Sequence, residues 1–503
     1  MAKRLCVLAV AVFALSVGTS AQDARAVLQA ASTAMGAANL KTIQYTGTGW
    51  NAGIGQSYSA NDDWPKFEIT SYARTIDYDA RSSHEDLTRR QGSYPPRGGG
   101  GTPLQGDQRQ IAVVSGNSAW NVQGTTLVPQ PAAAEVRQLD IWLSPHGFLK
   151  AALAAPNTTA VPMTLEGKKV TIVTFTALGR FRVNGTITDQ NLVERVQTWV
   201  PNPVFGDMVY EHRYSEYKDF GGVKFPTVLH SHQGDPRLNP GHNWMEVRVT
   251  KAQPNVAAAA PAIPDNVRQA SVAPVRVDSQ RLANGVWLVA GGSHNSVAVE
   301  FRDFVAVVEA PQDESRSVAV IAEVNRLVPG KPIQYLVNTH HHFDHSGGLR
   351  TYVAQGTTII THQSNRDFYE DVLFYPAPRT LQPDRLSTQY PWFAGNRIPP
   401  VETVSHKYVL SDGVRTMDIL PLQGLAHASN MMIVYLPTEK LLINADLYTP
   451  PAKGAPAPTV TASMRTYLEN IRRLKLDVAQ HVPIHGAPGP HAEFLKIMGS
   501  GSN

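Results

Sequence analysis

The tightest constraint on this chain is the segment Asn338-Thr339-His340-His341-His342-Phe343-Asp344-His345-Ser346-Gly347-Gly348, directly after the apolar run Ile333-Gln334-Tyr335-Leu336-Val337. The run predicts a strand, and the Gly-Gly pair predicts a turn. Successive side chains of an extended chain point to opposite faces, so His340 and His342 share one side. Asp344 and His345 can turn toward a second position beside it, while His341 points away. Neutral imidazoles and carboxylates suit zinc and similar borderline divalent ions. The segment therefore reads as the start of a site for two adjacent metals. A surface histidine patch or an expression tag would not place an Asp and four histidines at a strand-to-turn junction inside the chain.

Two metals need further ligands, and three downstream residues sit in fitting contexts. His427 follows the strand-like run Met417-Asp418-Ile419-Leu420-Pro421-Leu422 and a short loop. Asp446 follows Leu441-Leu442-Ile443-Asn444-Ala445, and His485 follows Val482-Pro483-Ile484 and precedes Gly486. His481 and His491 compete with His485 but lack that strand-end context. His362, at the end of the apolar stretch Thr357 to Thr361, is a candidate for orienting the ligands from behind. The single cysteine, Cys6, lies in the apolar part of the leader. The site is thus expected to use His and carboxylates alone, and the fold to use no disulfide.

That leader has a basic pair, Lys3-Arg4, an apolar stretch from Leu5 to Val17, and the small residues Thr19-Ser20-Ala21 before Gln22. This is the pattern of a secretory signal, residues 1–21, which predicts export to a periplasm or the exterior. The apolar stretch is 13 residues, short of the ~20 that span a bilayer. Removing Lys3 and Arg4 takes the formal charge from +4 to +2. So small a charge, without clustered Lys and Arg, gives no nucleic-acid footprint.

At 503 residues the chain is too long for one ordinary core. Residues 22–255 look mainly β, with alternating runs such as Val170 to Phe175 and Trp244 to Val249. Gly221-Gly222 predicts a hairpin turn between Tyr214–Phe220 and Val223–Leu229. Leu139 to Ala155 reads as one helix packed on the sheet, and Arg97 to Thr102, with its four glycines, as a flexible loop tip. An Ala- and Pro-rich linker is expected over 256–274. From 275 to 498, strands alternate first with each other and then with helices, which indicates a layered α/β domain.

Over roughly 275–498 the chain resembles the metallo-β-lactamase-fold hydrolases, through His340-x-His342-x-Asp344-His345 and the ordered His427, Asp446 and His485. The resemblance implies an αββα sandwich. It also implies that His340, His342 and His427 bind one metal, that Asp344, His345 and His485 bind the second, and that Asp446 bridges them. Two divalent ions are then expected, zinc foremost, with iron or manganese as alternatives. The pattern departs at Glu309, where the family commonly has Asp, so the hydrogen bonding beneath the metal loop is expected to differ. The first domain loosely resembles lipoprotein-carrier (LolA-like) half-barrels, through Tyr217-Lys218-Asp219-Phe220-Gly221-Gly222-Val223-Lys224-Phe225-Pro226.

Paired metals lower the pKa of a bridging water and give hydroxide near neutral pH. With Asp344 to orient the nucleophile, the expected reaction is hydrolysis of a small-molecule ester, thioester, lactone or amide. Asp446 at the bridging position looks more like hydroxyacylglutathione hydrolases and lactonases than β-lactamases, which commonly carry Cys or Ser there. A periplasmic β-lactamase is the next reading. A third is a protein that binds lipid, lipoprotein or membrane through its first domain. Phe374 to Pro400, rich in Pro and aromatics, and Pro450 to Pro458 are expected to wall the substrate site.

Overall fold

The computed structural model of the chain describes residues 21–234, 242–257, 260–374, 379–389 and 401–500. The leader read over 1–21, apart from Ala21, lies outside them. So do 258–259 of the linker and 375–378 and 390–400 of the expected substrate wall.

The first domain is built on a 13-stranded antiparallel sheet. At its middle the strand Thr42–Ala52 pairs with His242–Pro254, joining the two ends of the domain. From the first of these the chain meanders outward to the edge strand Thr126–Pro129, and from the second, read backward, to the edge strand Thr159–Leu165. Tyr214 to Phe220 and the residues after Val223 form the expected hairpin, closed through Gly221 and Gly222 at φ 66° and 85°. One face of the sheet packs on helices: Leu139, Leu143, Phe148 and Leu149 share a core with Val173, Phe181, Val183 and Val196.

One local expectation for this domain needs correcting, and two features add to the reading of the domain and its linker. The first secondary element is a helix, Ala21–Ala34, whose Ala24, Leu28 and Ala31 are buried at helical spacing. Leu139 to Ala155 is split into the helices Ala134–Leu143 and Pro145–Ala154. Ser144 is extended and caps the second helix by accepting from the Gly147 amide, with Pro145 in its first turn. The linker is partly fastened, because a short helix, Asp265–Arg268, buries Val267 against Val113 and Trp120.

The second domain stacks a seven-stranded sheet on a six-stranded one. Val297, Val299 and Val308 of the first sheet meet Ile419, Val434 and Ile443 of the second in one core. On the other face of the seven-stranded sheet, Val305, Val307 and Leu336 pack on Val320 and Val324 of the helix Glu314–Leu327. The helix Ala462–Arg473 buries Met464, Tyr467, Leu468 and Ile471 in the core it shares with the six-stranded sheet. This is the expected αββα sandwich. The strand Ile333–Val337 lies between the parallel strands Val305–Val308 and Thr358–His362, so the histidine segment leaves from the C-terminal edge of a buried parallel sheet.

Candidate metal centre

The structure gathers the predicted ligands into two adjoining groups. His340, His342, His427 and Asp446 form one; His294, Asp344, His345 and His485 form the other. Asp446 links them. Its Oδ2 lies 3.2 Å from His340 Nε2, 3.0 Å from His427 Nε2 and 3.0 Å from His345 Nε2, and its Oδ1 lies 2.7 Å from His485 Nε2. Asp446 reaches this position at φ +59°, a left-handed conformation that is sparsely populated by residues other than glycine.

Hydrogen bonds behind the rings decide which nitrogen faces the centre. Glu309 Oε2 accepts from His345 Nδ1 at 2.7 Å, and the Ser293 carbonyl accepts from His485 Nδ1 at 3.0 Å, so both present Nε2. His342 is turned the other way: its Nε2 meets the Ser57 carbonyl at 2.9 Å, and its Nδ1 lies 2.9 Å from His340 Nε2. Glu309 itself is fully buried and also accepts from the Thr339 amide at 2.6 Å, which fixes the loop as it leaves the strand. Its carboxylate thus holds the histidine loop from beneath.

These donors fit metal ions. Burial holds the pKa of His340 down to about 4 and that of His342 well below its ordinary value, so both rings offer lone pairs at neutral pH. At His345, burial also acts downward, but the carboxylates of Asp446 and Glu309 outweigh it and raise the pKa well above the ordinary value. Positive charge is therefore favoured where the two groups meet. Asp344 and Asp446 are held below the usual carboxylate range by the surrounding histidines despite burial. His427 Nε2 is buried without a hydrogen-bond partner, although Asp446 lies beside it. A metal in the first group would satisfy that atom.

Sequence reasoning missed several residues of the site. His294, at the start of the strand His294–Glu300, places Nε2 3.3 Å from Asp344 Oδ2. The next residue, Asn295, donates to the carbonyls of Pro483 and Gly486 and so holds the loop that carries His485. The larger omission is the first domain. Gln56 donates its amide to Asp344 Oδ1 at 2.7 Å, and its own Oε1 accepts from the Gly100 amide at 2.8 Å. The Gly55 carbonyl accepts from the Phe343 amide, and the Phe343 ring, between two ligand residues in sequence, packs edge-on to Trp64 and Phe205. Arg97 to Thr102 is thus an ordered contact rather than a free loop tip. Its Gly98 amide donates to the Ala426 carbonyl, and a Cβ on Gly99 would come within 2.9 Å of His342 Nδ1. Only glycine permits that approach.

The remaining predicted residues lie elsewhere. His341 points away from both groups and bonds Ser57 Oγ and Asn430. His362 takes no part in either group: its Nδ1 accepts from the Ser364 amide and caps the short helix that follows. His481 and His491 contact each other beside Tyr467 and Phe494. Of the expected substrate walls, the described part around 379–389 is tied to the first domain. Arg379 donates to the carbonyls of Asn202 and Val204, and Thr380 donates to Asp207.

The family model of the metallo-beta-lactamase superfamily matches residues 289–480. The second domain therefore belongs to that superfamily. Solved structures similar to the chain include a metallo-beta-lactamase from Pontibacter korlensis, at 17% identity, covering 45% of this chain and 98% of that one, with a TM-score of 0.34. Another is a metallo-beta-lactamase from Hirschia baltica, at 20% identity, covering 45% and 97%, with a TM-score of 0.33. The metallo-beta-lactamase FIM-1 from Pseudomonas aeruginosa, in a mono-zinc form, is 19% identical over 46% and 98% of the two chains, with a TM-score of 0.32. No curated protein matches the chain. The family match leaves the first domain, and its resemblance to lipoprotein carriers, without support.

Proposed function

We propose that this chain is an exported hydrolase that uses two divalent metal ions, zinc foremost, to cleave an ester, thioester, lactone or amide bond in a small molecule. The observation that carries this reading is the convergence of two ligand groups on one carboxylate, Asp446, with ring nitrogens turned inward by fixed partners. His340, His342 and His427 would hold one ion, Asp344, His345 and His485 the other, and Asp446 both. Bound there, the pair would supply a nucleophile at neutral pH and polarise the scissile carbonyl.

The protein's own contribution is position and protonation. Asp344 is anchored on both oxygens, by Gln56 and His294, yet its side chain is 39% exposed. That would let it orient the attacking water. Gln56 and the Gly99 loop form one side of the site, so the first domain would help shape the substrate pocket as well as support the metal ligands. Export is supported by the leader pattern, and a small-molecule substrate by the weak net charge.

The test is turnover of thioester, lactone, ester and nitrocefin substrates by the full chain before and after chelation and zinc return. Hydrolysis that is lost and regained supports the reading. Turnover surviving in a folded His342→Ala/Asp446→Ala variant would refute it. Nitrocefin cleavage alone would move the substrate class to β-lactams.

A further inference from the structure

A second histidine cluster lies on the first domain, in three neighbouring strands. Glu211 pairs with His232 and Arg213 with His230 across one strand boundary, and His230 pairs with Glu246 across the next. A bulge at Ser231/His232 brings Asn243 opposite His232, putting it on the same face. That face is opposite the one whose Tyr210, Tyr214, Met245 and Val247 enter the core.

The donor inventory of this cluster does not close by itself. His230 Nδ1 lies 3.0 Å from Glu246 Oε2, and His232 Nδ1 lies 3.2 Å from Glu211 Oε1. A carboxylate only accepts, so each Nδ1 carries the hydrogen. In the neutral rings both Nε2 atoms are then lone pairs, and they face each other at 3.1 Å. Asn243 Oδ1, a third acceptor, lies 2.8 Å from His230 Nε2.

Three acceptors converging while carboxylates hold the far nitrogens is the arrangement found behind metal-bound imidazoles. We propose that His230, His232 and Asn243 form a second metal site, for a borderline divalent ion such as zinc or copper(II), sharing no residue with the candidate hydrolytic centre. Arg213 and Arg248 are 56% and 62% exposed, so solvent screens their repulsion of a cation. Such an ion would cross-link two neighbouring strands of the sheet, Lys224–Gln233 and His242–Pro254. The competing account is a single proton shared by the two rings, with the Asn243 amide turned to donate.

The experiment compares full-length wild type with His230→Ala/His232→Ala, after chelation and equilibration with a small excess of zinc. Wild type is expected to retain one equivalent more than the double variant, with hydrolytic turnover the same in both. With copper(II), the wild-type EPR spectrum should gain a component coupled to two imidazole nitrogens that the variant lacks. Asn243→Asp should tighten the extra ion about tenfold, the effect of replacing a neutral oxygen donor by a charged one. If the double variant does not fold, His232→Gln is used and should lose the same equivalent. Equal zinc content and identical copper spectra in wild type and variants would overturn the proposal and leave the shared proton. Because the readout is a difference at these residues, it is independent of whether the hydrolytic reading holds.

Discussion

Replacing Gln56 by Ala tests whether the first domain is part of the catalytic site. In the native protein the Gln56 amide holds Asp344 Oδ1 at 2.7 Å, and its Oε1 fastens the glycine loop through Gly100. Hydrogen bonds to charged groups contribute roughly 1.5–3 kcal/mol. With the Asp344 side chain 39% exposed, the low end applies, about 1.5 kcal/mol. That corresponds to about tenfold in an equilibrium constant. His294 still holds the other oxygen, so Asp344 should stay near its position but lose its fixed orientation. The assay is competition with a chromophoric chelator in the His230→Ala/His232→Ala background, which leaves the two equivalents of the candidate centre to be resolved. Gln56→Ala should weaken the more loosely held equivalent about tenfold and leave the tighter one nearly unchanged. Gln56→Glu, which sets a second carboxylate against Asp344, should do more harm to turnover. Wild-type affinity for both equivalents in Gln56→Ala, with wild-type turnover, would refute the view that the domain positions Asp344.

Three further predictions follow from individual contacts. Glu309→Gln would place an amide donor or a neutral oxygen opposite His345 Nδ1, removing the carboxylate that fixes that proton. One metal equivalent should weaken by about 10–100-fold, measured by metal content after dialysis. His294→Ala should loosen Asp344, and His294→Gln should restore metal retention if the ring acts through its hydrogen bond rather than as a ligand. The third concerns stability. Burial depresses the His146 pKa to about 4, against an ordinary value of 6.5. Between those values the unfolded chain binds more protons, so stability is full above about 6.5 and falls as pH drops toward 4, by about 3 kcal/mol. Chemical denaturation across that range should show a shallower pH dependence in His146→Leu than in wild type.

The sequence exposed the parts of the site whose signal is local. His340, His342, Asp344 and His345 lie within a few residues of one strand end, and His427, Asp446 and His485 each follow an apolar run. The strands of both domains announced themselves through alternation, and the Gly221-Gly222 hairpin through its turn residues. What stayed hidden was either short of local signal or long-range. His294 is a single histidine after Gly291-Gly292-Ser293, with no spacing to mark it. Gln56 meets Asp344 across 288 positions, a separation no periodicity reports. Gly99 looked like loop filler because the reason for glycine there, the ring of His342, lies in the other domain. The helix Ala21–Ala34 and the break at Ser144-Pro145 do carry local signals, in apolar spacing and in a capping serine followed by proline.

The most direct test of the account is metal content measured alongside turnover on the full-length protein. Because the proposed histidine pair on the first domain would add an equivalent, the measurement is best made in the His230→Ala/His232→Ala background. There the account predicts two metal equivalents per chain, loss of hydrolysis as chelation removes them, and recovery on zinc return. Asp446→Ala in that background should retain less than one equivalent and no turnover. Full hydrolysis by protein holding no metal, or two retained equivalents in folded Asp446→Ala, would contradict it.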